Sequence, residues 1–194
     1  MIAAVILIAM AYAIGSLSSA IIVCKFLKLP DPRTEGSMNP GTTNVLRIGG
    51  KTPALITLAG DMIKGFLPVF IGHMLGISGF FLGLIALAAF VGHLFPVFFK
   101  FQGGKGVATF LGGLLALAPF AGVVTIVAWI LVAAISRYSS LASLASAVAA
   151  PVLVLFFANT GYFFPVLIIG AMVVWRHIEN IQRLRAGTEG KINF

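Results

Sequence analysis

Six stretches of the chain are apolar over most of the length that a helix needs to cross a lipid bilayer. They lie at 2–24, 54–75, 79–99, 119–136, 141–158 and 162–176. The hydrocarbon core, about 30 Å thick, needs about 20 helical residues. With 60% hydrophobic and 9% charged residues, the chain carries more apolar surface than one soluble core can bury, since soluble domains are about a quarter charged. The sequence therefore predicts an all-α integral membrane protein, and excludes a soluble enzyme and a nucleic-acid-binding module.

A seventh apolar segment, at 106–117, is shorter and follows a glycine-rich loop. Counting it, the sequence predicts a compact bundle of about seven transmembrane helices that forms a single domain over 1–194. The first segment has no basic residue before it, and Lys25 and Lys28 follow it. A cleavable signal peptide has the opposite order of charge, so the first segment is predicted to be a retained helix.

The basic residues predict the orientation of these helices. With seven crossings and the N-terminus outside, every lysine and arginine except Lys64 falls in an inner loop or in the C-terminal tail. They are Lys25, Lys28, Arg33, Arg47, Lys51, Lys100, Lys105, Arg137, Arg176, Arg183, Arg185 and Lys191. Inner loops of membrane proteins are enriched in lysine and arginine, so the C-terminus is predicted to be cytoplasmic. If 106–136 were one crossing, Arg137 would lie outside.

The second inner loop, KFQGGKGVAT, has the composition of a phosphate site. Gly103, Gly104 and Gly106 allow backbone conformations that bring N–H groups close to a ligand, and Lys105 adds a positive charge. A helix is predicted to begin just after the loop, and a helix N-terminus favours anions. The loop is not a Walker A motif, because Gly106 follows Lys105 where serine or threonine is required. A flexible interfacial hinge is the alternative interpretation.

Two further polar segments are predicted on the same membrane face. The first inner loop contains DPRTEGSMNPGTTNVLRIGGK, with Ser37, Asn44 and Arg47, and could also be a turn-rich connector. The tail WRHIENIQRLRAGTE places His177, Asn180 and Arg183 on one helical face, and could also be an amphipathic interfacial tail. The second, fourth and sixth predicted membrane helices begin at this face, so their positive dipole ends lie there beside the basic side chains. This face is predicted to bind more than one phosphate.

Ionisable residues also occur inside the predicted spans. Asp61 and Lys64 lie one turn apart at a depth where charge is costly, and the sequence leaves open whether their pair is structural or functional. Packing is the favoured role for His93, and an interfacial or structural role for His73. Three scattered histidines and few carboxylates form no metal-binding pattern, so no metal or cofactor is expected.

Three segments resemble the bacterial acyl-phosphate:glycerol-3-phosphate acyltransferases, the PlsY family. They are GSMNPGTTNVLR, GHLFPVFFKFQGGKGVAT and RHIENIQRL, and the resemblance extends over roughly 15–190. Met38 stands where that family usually has glycine. The resemblance implies transfer of a fatty acyl group from acyl phosphate to the 1-hydroxyl of sn-glycerol 3-phosphate. The products would be lysophosphatidic acid and phosphate, in the first step of bacterial phospholipid synthesis.

The resemblance also implies roles for individual residues. Those expected in catalysis are Ser37, Asn44, Arg47, Lys105 and His177. Those expected to bind substrate or phosphate are Gly103, Gly104, Gly106, Asn180, Ser140 and Ser143. Either His177 or a phosphate oxygen of the donor would accept the proton of the attacking hydroxyl. The site would face the cytoplasm from the bacterial inner membrane, within membrane lipid, with transient contact to the enzyme that makes acyl phosphate.

Two other functions remain open from the sequence. A small phosphate or organic-anion transporter would need polar residues that continue to the outer face, and often an internal repeat. A non-catalytic membrane scaffold would not need polar residues confined to one face. The outer turns near 76–78, 118 and 159–161 carry no lysine or arginine, which favours the acyltransferase over both.

Overall fold

The structure is a computed structural model that describes residues 1–192, so the last two residues of the predicted domain 1–194 lie outside it. The described residues form ten α-helices and two short 3-10 turns, and contain no strand. The helices are α1 (Ile2–Gly15), α2 (Ser19–Phe26), α3 (Thr42–Gly49), α4 (Lys51–Met74), α5 (Gly79–Leu94), α6 (Val107–Leu117), α7 (Pro119–Ser136), α8 (Ser139–Phe157), α9 (Phe163–Arg176) and α10 (Ile178–Arg185). The predicted all-α class is confirmed.

Some of these helices, alone or joined to a neighbouring element, are long and apolar enough to cross a membrane. Within residues 1–192, five segments meet that condition: Ile2–Phe26, Lys51–Met74, Gly79–Phe99, Pro119–Ser136 and Ser139–Phe157. Thr160–Arg176 and α10 form a sixth candidate that is bent by 54° at its break. The seventh predicted segment is α6, whose 11 residues extend only about 16 Å. The apolar stretches therefore recur as helices, whereas seven crossings remain a prediction.

The first span is broken, which its continuous apolar sequence did not predict. α1 ends at Gly15, and Ser18 caps α2 by accepting a hydrogen bond from the Ile21 N–H at 3.5 Å. A side chain on Gly15 would collide with the Ala89 backbone of α5. Small residues let the backbones of membrane helices approach closely, so the break after Gly15 packs directly against the backbone of α5.

α4 and α6 are held together in the same way. A Cβ atom on Gly65 of α4 would collide with the Thr109 carbonyl of α6, and one on Gly112 of α6 would collide with the Met62 carbonyl of α4. Such close contact leaves little freedom for one helix to slide along the other. The loop that precedes α6 is therefore fixed relative to the polar residues of α4.

The three polar segments recognised in the sequence lie at one end of the bundle. Ser37 and Arg47 of the first segment, Lys105 of the second, and His177 of the third line a single cavity there. In each of the pairs α4–α5, α6–α7 and α8–α9, the first helix runs away from this end of the bundle and the second runs back towards it. Leu7 of α1 lies beside Gly72, near the far end of α4, so the chain begins at the end of the bundle opposite the cavity.

Candidate active site

The cavity has a volume of about 750 Å³, and its lining combines a basic part, which we term the mouth, with an apolar part. Its mouth carries three basic side chains, Arg47, Lys105 and Arg183. Its apolar part is formed by residues of α4, α6 and α7, namely Leu58, Met62, Leu111, Ile126, Trp129 and Ile130. A phosphorylated molecule with a long apolar chain matches both halves.

Lys105 reaches into the cavity from the loop before α6. Its Nζ donates a hydrogen bond to Asn180 Oδ1 of α10, which brings together two sequence-predicted residues that are 75 positions apart. Burial, together with the positive charge of Arg183, lowers the pKa of Lys105 to about 8. The ammonium group is thus held in a partly desolvated position where it interacts strongly with an anion.

Of the three loop glycines, only Gly106 lies in the cavity wall. Its φ of 80° is in the left-handed region that favours glycine, and it turns the chain into α6. Val107 and Ala108 also line the cavity, and the first N–H groups of a helix have no partner within it. This end of α6 therefore has the geometry predicted for anion binding.

Gly103 and Gly104 are placed differently from the expectation that they contact phosphate, because neither lines the cavity. A Cβ atom on Gly103 would collide with the His93 carbonyl, and one on Gly104 with the His93 ring. Their carbonyl oxygens each accept a hydrogen bond from Arg176 Nη2 at 3.2 Å. These glycines let the loop pack tightly against the end of α5.

Asn44 is buried and uses its whole amide to fold the first loop. Its Nδ2 donates to the Pro32 and Glu35 carbonyls, each at 2.9 Å, and its Oδ1 accepts from the Ser37 N–H at 2.8 Å. A side-chain amide has two donor hydrogens and one acceptor oxygen. Asn44 therefore lines the cavity and also fixes the backbone of Ser37 beside it.

Ser37 and Arg47 both line the cavity and are exposed to it. Between them, Met38 has φ 56°, a conformation that costs a residue with a side chain about 1–2 kcal/mol. A glycine at this position would adopt the same conformation without that cost. The Met38 side chain is exposed, so it adds no steric clash to the unfavourable backbone conformation of the turn.

Glu189 bridges Asn180 and Arg183, although the sequence predicted no role for it. Glu189 Oε1 accepts from Asn180 Nδ2 at 2.6 Å, and Oε2 accepts from Arg183 Nε at 2.7 Å. The Glu189 side chain is only 7% exposed. The chain reverses after α10 at Gly187, whose φ is 69°; this glycine after a helical end was the one available signal.

His177 lies at the bend between α9 and α10 and is 3% exposed. Its Nδ1 is 2.8 Å from the Val173 carbonyl, which can only accept, so Nδ1 carries a proton. In the neutral ring, Nε2 then has a free lone pair. Ser140 and Ser143 lie buried in the adjoining wall of α8, and Ser143 Oγ accepts from Trp129 Nε1 at 3.2 Å.

The lowered pKa of Lys105 predicts how anion binding depends on pH. As pH rises through about 8, the free protein loses the ammonium charge, and its affinity for phosphate monoesters should fall about tenfold by pH 9. A phosphate monoester is already a dianion above pH 7, so the change reports the protein. Stabilisation against thermal unfolding by glycerol 3-phosphate between pH 7 and 9.5 measures this effect. Lys105→Arg, which stays charged, should flatten the profile; an unchanged slope in that variant would contradict the assignment.

Comparisons with known proteins agree with this geometry. The sequence profile of the family described as glycerol-3-phosphate acyltransferase matches residues 5–187. A glycerol-3-phosphate acyltransferase of Coxiella burnetii (strain RSA 493 / Nine Mile phase I) is 52% identical over 190 residues, covering 98% of each chain. One of Idiomarina loihiensis is 49% identical over 184 residues, covering 95% of this chain and 93% of the relative.

Two solved structures share the fold. Both are of PlsY (YgiH), an integral membrane glycerol 3-phosphate acyltransferase. Its glycerol 3-phosphate form gives a TM-score of 0.93 at 37% identity, and its lysophosphatidic acid form 0.90 at 35%. Each comparison covers 98% of this chain and 96% of the other. With its apolar helices and its full-length match, the chain belongs to the PlsY family of integral membrane glycerol-3-phosphate acyltransferases.

Proposed function

We propose that this chain transfers a fatty acyl group from acyl phosphate to the 1-hydroxyl of sn-glycerol 3-phosphate. The products are lysophosphatidic acid and phosphate, in the first step of bacterial phospholipid synthesis. One observation carries the proposal: a single cavity is lined both by three basic side chains and by a set of apolar residues from α4, α6 and α7. Both substrates carry a phosphate, and the donor also carries a fatty chain. An anion transporter has no use for the apolar half of such a cavity.

Glycerol 3-phosphate is proposed to bind at the α10 side of the mouth. Lys105 and Asn180 are hydrogen-bonded to each other there, and His177 and Ser140 line the adjoining wall. Lys105 and the N-terminus of α6 at Gly106 neutralise the phosphate. His177 Nε2 accepts a hydrogen bond from the glycerol, since its other nitrogen is committed to Val173.

Acyl phosphate is proposed to bind on the side of α3. Arg47 pairs with the donor phosphate, and Ser37 donates a hydrogen bond to it or to the carbonyl oxygen. Asn44 fixes Ser37, to whose N–H it is bonded. The fatty chain then lies along Leu58 and Ile130 in the apolar half of the cavity.

The reaction is proposed as one direct displacement. The 1-hydroxyl oxygen attacks the carbonyl carbon, and the bond from that carbon to the phosphate oxygen breaks. The hydroxyl proton passes to an oxygen of the departing phosphate, which leaves as hydrogen phosphate. Acyl phosphate is already activated, so orientation and charge stabilisation supply the catalysis, without a metal or cofactor.

Ser37 is not proposed to form an acyl-enzyme. A serine nucleophile needs an adjacent base, and within residues 1–192 its hydroxyl has no histidine or carboxylate partner. Intact-protein mass spectrometry after mixing with acyl phosphate alone should show no added acyl mass. An adduct that maps to Ser37 and is discharged by glycerol 3-phosphate would establish a two-step mechanism instead.

We further propose that residues 1–194 form one domain in the bacterial inner membrane, with seven crossings, the N-terminus outside and the C-terminus and cavity facing the cytoplasm. Because α6 and α7 leave and return to the cavity end, the exposed Pro119 at the α6–α7 turn should be accessible from outside and Tyr138 from inside. Cysteine labelling of spheroplasts at these positions measures both. Outside labelling at Tyr138 would contradict the seven-crossing arrangement. Donor delivery by transient contact with the enzyme that makes acyl phosphate suits this orientation.

Donor choice tests the proposed reaction. Purified protein should use palmitoyl phosphate and show little turnover with palmitoyl-CoA at the same concentration, with or without chelator. The reason is that the mouth of the cavity is built for a small phosphate leaving group. A clear preference for palmitoyl-CoA, or loss of activity with chelator, would refute the assigned chemistry.

A further inference from the structure

At the cavity wall lies a buried polar cluster that the proposed reaction does not use, and two of its residues, Asp61 and His93, line the cavity. It consists of Asp61 and Lys64 on α4, His93 on α5 and Thr109 on α6, all at most 6% exposed. Such groups are costly to bury within a membrane. We term them the α4–α6 cluster.

The α4–α6 cluster is connected by direct polar contacts. Lys64 Nζ lies 2.8 Å from Asp61 Oδ1, and the same oxygen lies 3.7 Å from His93 Nδ1. Thr109 Oγ1 is 3.2 Å from His93 Nδ1. Lys64 also donates to the Leu17 carbonyl at 2.8 Å, within the break of the first span. The Nδ1 edge of the His93 imidazole is thus within hydrogen-bond distance of a hydroxyl and lies close to a carboxylate.

The opposite edge of His93 meets the loop that carries Lys105. A Cβ atom on Gly104 would collide with His93 Nε2, so the imidazole packs directly against the Gly104 backbone. The Gly104 N–H also donates to the His93 carbonyl at 3.3 Å. The ring and the backbone carbonyl of His93 therefore both fix the position of Gly104, which precedes Lys105.

We propose that His93, oriented by Asp61 and Thr109, is a positioning residue that sets the Gly104–Lys105 backbone and thereby aims the Lys105 ammonium group at the phosphate of glycerol 3-phosphate. This inference rests on the proposed function for the identity of the ligand. It goes further by giving the intramembrane cluster a role in the acceptor site, transmitted through one imidazole.

Thr109 offers the mildest test, because valine keeps its shape and removes only the hydroxyl. Thr109→Val should raise KM for glycerol 3-phosphate about fivefold, the effect of one lost hydrogen bond, with kcat changed less than twofold. Thr109→Ser, which restores the hydroxyl, should return KM to the wild-type value. Thr125→Val is the matched control, because Thr125 is fully buried in α7 and bonds only its own helix, at the Ala121 carbonyl.

A double-mutant cycle tests whether Thr109 acts through His93. His93→Asn should raise KM for glycerol 3-phosphate by at least the same factor, and Thr109→Val should add no further change in that background. If both single variants lower the melting temperature but leave KM unchanged, the cluster is only structural and the inference is wrong. Full additivity would overturn the route through His93. If His93→Asn does not fold, KM for glycerol 3-phosphate in Thr109→Val, Thr109→Ser and Thr125→Val still tests whether the cluster affects the acceptor site.

Binding measured without turnover separates this inference from the proposed function. Glycerol 3-phosphate should stabilise the wild-type protein against thermal unfolding, and Thr109→Val should need about fivefold more ligand for the same shift. If the wild type makes no product from acyl phosphate, the proposed reaction fails, and this comparison still tests His93. No stabilisation of the wild type, or equal ligand requirements in both proteins, would overturn the inference.

Discussion

Replacing Lys105 by methionine should lower kcat/KM for glycerol 3-phosphate by roughly 10- to 100-fold, the worth of one charge-assisted hydrogen bond. Methionine keeps the length of the side chain and removes the charge that Lys105 presents beside Asn180 in the cavity. Most of the loss should appear in KM for glycerol 3-phosphate, because Lys105 is assigned to that substrate. Steady-state kinetics on the purified protein, with each substrate varied in turn, measure it.

Lys100 provides the matched control. It lies in the same loop, is exposed and does not line the cavity. Lys100→Met removes the same charge from the same loop, so it should leave both kinetic constants within about twofold of the wild type, as surface substitutions generally do. Equal losses in the two variants would mean that the loop attracts substrate only through its net charge, and the specific role of Lys105 would be lost.

Replacing Glu189 by glutamine should raise KM for glycerol 3-phosphate at least about tenfold, because two hydrogen bonds to a buried carboxylate are weakened together. Glu189 holds Asn180 and Arg183 at 2.6 and 2.7 Å. Glutamine keeps the shape but turns one acceptor into a donor that faces another donor. Asn180 should then lose the orientation in which its Oδ1 receives Lys105.

Glu179→Gln is the control for this change. Glu179 lies 3.8 Å from the same arginine but is 83% exposed, and exposed ion pairs contribute little. Kinetics and melting temperature should be measured for both variants. A folded Glu189→Gln protein with wild-type KM would show that the bridge to Asn180 does not matter for the acceptor site.

The membrane helices were predictable because the bilayer imposes a length and a composition on each span. The stretches 119–136 and 141–158 recur almost unchanged as α7 and α8. The break in the first span was not predicted from hydrophobicity: its local feature is Ser18, which caps α2, and the close contact of Gly15 with the Ala89 backbone depends on another helix. Such a contact leaves no periodic signal in the residues of the span itself.

The polar loops were predictable as a group, and their assembly at one end of the bundle follows from the alternating direction of the helices. This arrangement places Lys105 and Asn180 at the same end, where the structure shows them hydrogen-bonded. The roles of Gly103 and Gly104 did not follow, because their neighbour is the His93 ring and not the cavity. A glycine can indicate that another group approaches the backbone closely, but the sequence does not identify that group.

Individual side-chain partners were the least predictable feature. Packing was favoured for His93, and the structure adds Asp61 and Thr109 as polar neighbours across three helices. Glu189 was missed because it reaches Asn180 only after the chain reverses at Gly187. Both contacts depend on how distant segments meet, which a single sequence does not encode as a local pattern.

The central claim is that one cavity brings acyl phosphate and glycerol 3-phosphate together for direct transfer. The most direct test is to reconstitute the purified protein in liposomes with palmitoyl phosphate and labelled glycerol 3-phosphate, and to quantify phosphate and acylated product together. The account predicts one phosphate released for each 1-palmitoyl glycerol 3-phosphate formed, and neither product without both substrates. Phosphate release without an equal amount of acylated product, or acylation at the 2-hydroxyl, would contradict it.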